Sequence, residues 1–181
     1  ILKQSQFAKI LEAHGITFIG PTSDHIKTMG DKIVAKETVS KLGIPVVPGS
    51  DGKINDIKHA KKIAAQIGYP ILIKASSGGG GKGMKIANSE SDIEEAYNLA
   101  KFEAKASFGD DTIYIEKYLN APRHIEIQVF GDKYGNAIHL GERDCSLQRR
   151  NQKILEEATS PVIDESQRES IGSIASNAIS N

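Results

Sequence analysis

The sequence has no tryptophan and a single cysteine, and none of its apolar runs nears the roughly 20 residues that a membrane helix requires. The lone Cys145 excludes an internal disulfide and suits a reducing compartment. Charge of one sign is also missing, because 23 basic and 23 acidic residues cancel. Bulk electrostatics therefore argues for neither nucleic acid nor an anionic membrane as partner. Internal repeats, low-complexity tracts and long linkers are lacking too. There is no initiator methionine, and Ile1 to Phe7 shows no charged-then-apolar leader. Helical periodicity is still running at Asn181, so both ends read as cut and the chain is expected to be a fragment of a longer protein.

What is present alternates between helix and strand patterns. Phe7, Ile10 and Leu11 recur at helical spacing with Gly15 behind them, which predicts a helix near residues 5–14. Ile16 to Ile19 reads as a short buried strand. Asp31 is placed to cap a helix through Leu42, ended by Gly43. Val46 and Val47 read as a brief extended piece before a turn-rich stretch. Asp56 to Ile67 puts Ile57, Ala60, Ile63, Ala64 and Ile67 on one helical face, closed by Gly68. Strands are expected at 70–74, 84–87, 112–116, 122–130 and 137–144, the last two forming an antiparallel hairpin. Ser91 to Glu94 reads as a capping box opening a helix to about Ser107, and a last helix starts at Asp164. This order implies an α+β (mixed α/β) fold rather than a long run of parallel βαβ units.

Between strands 70–74 and 84–87 lies Lys74-Ala75-Ser76-Ser77-Gly78-Gly79-Gly80-Gly81-Lys82-Gly83, with five glycines from 78 to 83. Ordering each costs about 0.5–1 kcal/mol relative to alanine. A solvated flexible linker is one reading. The other is a phosphate loop, in which glycines let backbone N–H groups close on oxygens. Direct attachment to two apolar strands and the flanking Lys74 and Lys82 favour the second. The loop is neither a Walker loop nor a dinucleotide fingerprint, since a strand follows it rather than a helix. A hairpin lid over phosphates fits better.

Other candidates are weaker alone. Glu116-Lys117-Tyr118-Leu119 is either an ordinary strand end or a place where freed backbone groups meet a base. Lys32, near a helix N-terminus, is a solvated lysine or an anion ligand in a position the helix dipole disfavours for a cation. His124, Glu126 and Gln128 share one face of a strand, either solvated or turned to a ligand. Arg143, Arg149, Arg150 and Lys153 gather four cations, either a basic surface loop or a lining for bicarbonate or phosphate. Cys145 could be a nucleophile, although a buried inert thiol is the commoner case.

Together these segments closely resemble the biotin carboxylase family. The resemblance is carried by Phe18-Ile19-Gly20-Pro21, Met29-Gly30-Asp31-Lys32, Val47-Pro48-Gly49-Ser50, Gly68-Tyr69-Pro70, the 74–83 loop, Glu116 to Leu119, Pro122 to Gln128 and, most specifically, Glu142-Arg143-Asp144-Cys145-Ser146 running to Lys153. It implies an incomplete ATP-grasp fold. Residues 1–30 would end a preceding Rossmann-like domain, 31–46 would be a connecting helical segment, 47–117 the lid subdomain and 118–181 the start of the C-terminal subdomain. By the family pattern Lys32 and Lys74 contact ATP phosphates, the loop at Gly80 and Gly81 closes over them, and Glu116, Lys117, Tyr118 and Leu119 hold the adenine. His124, Gln148 and Asn151 line the nucleotide site, and Lys153 places bicarbonate.

The implied activity is ATP-dependent carboxylation of biotin through carboxyphosphate. ATP and Mg2+ (or Mn2+) would be the cofactors and carrier-bound biotin the substrate. The implied partners are the biotin carboxyl carrier protein, a carboxyltransferase component and a second copy of the subunit, in the cytoplasm or a plastid stroma. The motifs read closest to the subunit of acetyl-CoA carboxylase that serves fatty-acid synthesis. Propionyl-, methylcrotonyl- and pyruvate carboxylases and a carbamoyl-phosphate-type ligase stand as alternatives. Asn151 stands where many members carry histidine, and Thr159 where proline is expected. The family's metal-binding carboxylates, bicarbonate arginine and proposed base would lie beyond Asn181, so this polypeptide alone is expected to be inactive.

Overall fold

In the computed structural model, which describes residues 5–77 and 81–180, the chain divides into two compact units. The first comprises the residues up to Thr38 together with Val47–Lys117; the second comprises Val39–Val46 together with the residues from Tyr118 onward.

The first unit is built on an antiparallel sheet ordered β2-β1-β3, from β1 (Ile71–Ala75), β2 (Met84–Ala87) and β3 (Ile113–Lys117). Strand alternation gives this sheet two characters. Ile71, Ile73 and Ala75 pair with neighbours that include Ile115 and Ile113, and they enter the core with Ala60 and Ala64 of α4 (Ile57–Ile67) and Ile93, Ala96, Ala100 and Ala104 of α5 (Ile93–Phe108). Directly opposed residues share a face, so Leu72 and Lys74 stand with Glu116 and Tyr114 on the other side. α4 is capped by Asp56, whose side chain accepts from His59 N–H, and ends at Gly68 with φ 76°. α1 (Ser5–Ala13), α2 (Ser23–Gly30) and α3 (Lys32–Lys41) precede the sheet. As expected, Asp31 caps α3, its Oδ1 accepting from Ile33 and Val34 N–H at 2.8 and 3.1 Å.

Two expectations are corrected here. Ile16–Ile19 is not a buried strand: Ile19 is 86% exposed, and no strand among the described residues pairs with the segment. Extended backbone is stabilised by a neighbour that satisfies its N–H and C=O groups, and here there is none. The capping box lies two residues earlier, where Ser89 and Asp92 exchange hydrogen bonds ahead of a 3-10 turn (Glu90–Asp92) that feeds α5. The helix α2 lies in a stretch that was too polar to show periodicity. Val46 and Val47 lie outside the named strands, and the segment after them pairs with β3, with Ser50 N–H donating to the Ile115 carbonyl at 2.8 Å and Lys117 N–H to that of Pro48 at 2.7 Å.

Gly49 permits that pairing. A Cβ there would sit 2.3 Å from the Ile115 carbonyl oxygen and 3.1 Å from Glu116 Cα, both backbone atoms with no freedom to turn aside. Gly49→Ala is therefore expected to destabilise the protein by about 2 kcal/mol or more, read as a lower midpoint in urea unfolding. An unchanged midpoint would show that the 48–54 segment is not held against β3.

The second unit is an antiparallel hairpin of β4 (Ile125–Gly131) and β5 (Ala137–Asp144) with a register shift between Ile127 and Val129, backed by α6 (Glu165–Ser180). β4 begins three residues later than Pro122. Gly172 lets α6 approach closely, since a Cβ there would fall 2.4 Å from the His139 ring. A two-residue ladder of β6 (Gln148–Arg149) and β7 (Gln152–Lys153) turns through Arg150 and Asn151, both with positive φ as a type I′ turn demands.

Candidate functional site

In the first unit the glycine loop hangs between two anchored ends. At its start the Ser76 hydroxyl donates to Asp31 Oδ1 (3.1 Å), its N–H donates to the Thr112 carbonyl (2.9 Å), and the Ser77 hydroxyl donates to Asp110 (3.2 Å). At its end Glu103 of α5 accepts from Gly83 N–H (3.2 Å) and pairs with Lys85. Gly83 closes the loop with its carbonyl on Ala75 N–H; its φ is +66°, and a Cβ would press on that of Ala75 at 2.9 Å. Of the two loop glycines expected over the phosphates, Gly81 has φ 80°, while Gly80 lies outside the described residues.

Beside the loop, on the polar face of the sheet, two lysines bind one carboxylate and a third lies next to them. Glu116 Oε2 takes Lys74 Nζ at 2.8 Å and its Oε1 takes Lys36 Nζ at 3.3 Å. Lys32 Nζ reaches the Ala75 carbonyl at 3.5 Å. Burial opposes the charge on Lys74, but the hydrogen bond and charge of Glu116 and the Tyr114 hydroxyl outweigh it and hold the pKa above the ordinary lysine value; the ammonium also lies 5.5 Å from the centroid of the Tyr114 ring. Lys32 moves the other way: burial first, then the charge of Lys74, push its pKa down. Two formal positive charges are left uncompensated by Glu116. Such a cluster is poised to take a polyanion.

Lys32, Lys74 and Glu116 are thus brought together, though Glu116 engages its neighbours through its carboxylate as well as its backbone. Lys117 turns to the other side, where its Nζ donates to the Gly68 and Tyr69 carbonyls at 3.2 and 2.6 Å. Lys36 was missed, although it stands four residues after Lys32 and so on the same helical face.

In the second unit Gln148 hydrogen-bonds the His124 ring and donates to the Cys145 carbonyl at 3.0 Å. Cys145 itself is buried with its thiol on the His124 carbonyl, the inert alternative. Lys153 pairs with Glu126, which also accepts from Arg143, and Glu156 faces both cations at 3.3 and 3.5 Å. Lys153 and Arg143 hold the Glu126 carboxyl at about 2, and Glu126 in turn raises the pKa of Lys153. Two of the four expected cations are therefore already carboxylate-bound, while Arg149 and Arg150 are exposed. Tyr118 and Leu119 open this unit, with Leu119 about half exposed. Asn151 forms the β6–β7 turn.

Residues 31–181 match the family model described as the carbamoyl-phosphate synthase L chain, ATP binding domain. The chain belongs to that family. Its fold is the ATP-grasp one, mixed α/β, and its homologues include biotin carboxylases and subunits of other carboxylases. It is 55% identical over 177 residues to the biotin carboxylase of Haemophilus influenzae, covering 97% of this chain and 40% of that protein. It is 53% identical over 170 residues to the propionyl-CoA carboxylase alpha chain of Ruegeria pomeroyi, covering 94% and 25%. Among solved structures, the biotin carboxylase domain dimer of Hydrogenobacter thermophilus 2-oxoglutarate carboxylase, in complex with MgADP, ADP and bicarbonate, aligns at a TM-score of 0.92 and 50% identity, covering 99% of this chain and 40% of that one. The chain thus spans about 40% of the length of the biotin carboxylase it matches.

Proposed function

We propose that this chain is the ATP-handling part of a biotin carboxylase, a ligase that makes carboxybiotin from bicarbonate. The observation that carries the reading is Lys74 on Glu116 with Lys32 close by, next to a glycine loop anchored at both ends. Lys32 and Lys74 bind phosphate oxygens of ATP, and the loop at Gly80 and Gly81 closes over them. Glu116 to Leu119 hold the adenine, and His124, Gln148 and Asn151 line the nucleotide site. Lys153, held by Glu126, orients bicarbonate.

Bicarbonate oxygen then attacks the γ-phosphorus, ADP leaves, and carboxyphosphate collapses to carbon dioxide and phosphate. The deprotonated ureido nitrogen of biotin takes up the carbon dioxide. The lysines offset negative charge gathering on the transferred group, and a closed loop excludes the water that would hydrolyse the intermediate. Among the described residues no three His, Cys, Asp or Glu side chains converge. No helix among them is long and apolar enough to cross a membrane.

In the same reading, residues 1–30 end a Rossmann-like domain, 31–46 connect, 47–117 form the lid and 118–181 begin the C-terminal subdomain. The carrier protein, a carboxyltransferase and a second copy are its partners, and acetyl-CoA carboxylase of fatty-acid synthesis, in the cytoplasm or a plastid stroma, is its setting. Which acyl-CoA or keto acid sustains turnover separates that setting from the propionyl-, methylcrotonyl- and pyruvate carboxylases. A ligase of the carbamoyl-phosphate type is the second reading, raised by the family model itself. Phosphate release from ATP by the complete protein, with magnesium, bicarbonate and free biotin added in turn, decides between them. Biotin carboxylase requires release that needs bicarbonate and rises with biotin. Bicarbonate-dependent release indifferent to biotin would transfer the protein to the second class.

A further inference from the structure

Lys36 takes no part in the scheme above, yet it is the second cation on the carboxylate at the centre of the lysine cluster. We propose that Lys36 is a positioning residue that retains Glu116 when Lys74 leaves that carboxylate for the phosphates of a nucleotide. The inference rests on the phosphate-binding reading of Lys74.

The geometry sets up a competition. Glu116 presents one oxygen to Lys74 at 2.8 Å and the other to Lys36 at 3.3 Å. Its side chain is 15% exposed, and those of Lys36 and Lys74 are 18% and 22% exposed, so water replaces a lost partner poorly. A phosphate oxygen approaching Lys74 competes with Glu116 for the same ammonium. If Lys74 were the only cation on Glu116, its departure would strand a largely buried carboxylate, which is strongly unfavourable. Lys74 would then remain where it is, and the phosphate would lose its ligand. With Lys36 on the opposite oxygen, the carboxylate keeps a cation throughout. Lys32 is not placed for this task, since its Nζ is directed to the Ala75 carbonyl. The seat of Lys36 is shaped by its surroundings: it stands one helical turn after Lys32, and its Nζ occupies space beside Gly49 that a Cβ would approach to 2.9 Å.

The test is a binding cycle on the complete protein, by calorimetry with MgATP and with adenosine, for the parent, Lys36→Met, Lys74→Met, their combination and Lys36→Arg. Lys36→Met is expected to weaken MgATP about tenfold, leave adenosine within about twofold, and add less than about twofold once Lys74 is methionine. Lys36→Arg, which keeps a cation on Glu116, should bind MgATP like the parent. Equal losses for MgATP and adenosine would mark Lys36 as structural and overturn the inference, as would a loss undiminished in the Lys74→Met background. Unchanged MgATP affinity in Lys36→Met, beside a weakened Lys74→Met, overturns the inference while sparing the role of Lys74. Unchanged affinity in Lys74→Met removes both.

Discussion

Replacing Lys74 with methionine is expected to lower bicarbonate-dependent ATP turnover by the complete protein about 100-fold or more, with the melting temperature moving by less than about 2 °C. The two halves of this expectation have separate causes. A preorganised cation aimed at the charge developing on a transferred phosphoryl group acts in a site with little water, where it is hard to replace. Folding, by contrast, gains little from Lys74. Its burial disfavours the charged form, and the contacts to Glu116 and Tyr114 that restore it do little beyond offsetting that cost. In the variant Glu116 still holds Lys36, and the methionine thioether still packs on Tyr114. Unchanged turnover would remove Lys74 from phosphate transfer. A fall in melting temperature of many degrees would instead assign it to the fold.

The lysine cluster shows which parts of the site were legible in sequence and which were not. Lys74 and the loop stood out, because direct attachment to two apolar strands and the lysines beside the glycines favour a phosphate loop over a flexible linker. The strands β1 and β2 and the cap at Asp31 were equally readable, since each depends on a few adjacent residues. Lys36 was not legible, although its i, i+4 spacing from Lys32 was there to see. Its importance comes from Glu116, 80 residues away, and nothing local records that meeting. The same holds for Lys117, whose side chain goes to the Gly68 and Tyr69 carbonyls rather than to the polar face. The four cations from Arg143 to Lys153 left a basic surface loop and a lining for anions both open as a string, and the sequence does not record that Glu126 and Glu156 fold back onto Arg143 and Lys153 and take up much of that charge. Ile16–Ile19 failed for a related reason: an apolar run becomes a strand only where a partner edge exists.

The largest stability effect is expected in the second unit, at a pair that sequence reasoning passed over. Glu142 of β5 has a fully buried side chain and receives both Nε and Nη2 of Arg168 from α6, at 2.7 and 2.9 Å, with Ser160 N–H donating at 3.0 Å. Arg168 lowers the Glu142 carboxyl to about 2 from 4.5, against the opposing effect of burial. Arg168→Met leaves a buried carboxylate without its cation, which is expected to cost about 3 kcal/mol at neutral pH. The sign of the pH dependence follows from the lowered pKa. The stabilisation in the parent is complete above the unfolded value and is lost as pH falls from about 4.5 through about 2. The variant has no such ion pair to lose, so the gap between the two urea midpoints should be widest at neutral pH and narrow steadily over that acid range. Arg168→Lys should fall between them, since an ammonium cannot match both carboxylate oxygens in one plane. A gap that stays constant down to about pH 2 would mean that Arg168 stabilises α6 against the hairpin through packing of its stem alone, with the charge on Glu142 contributing nothing.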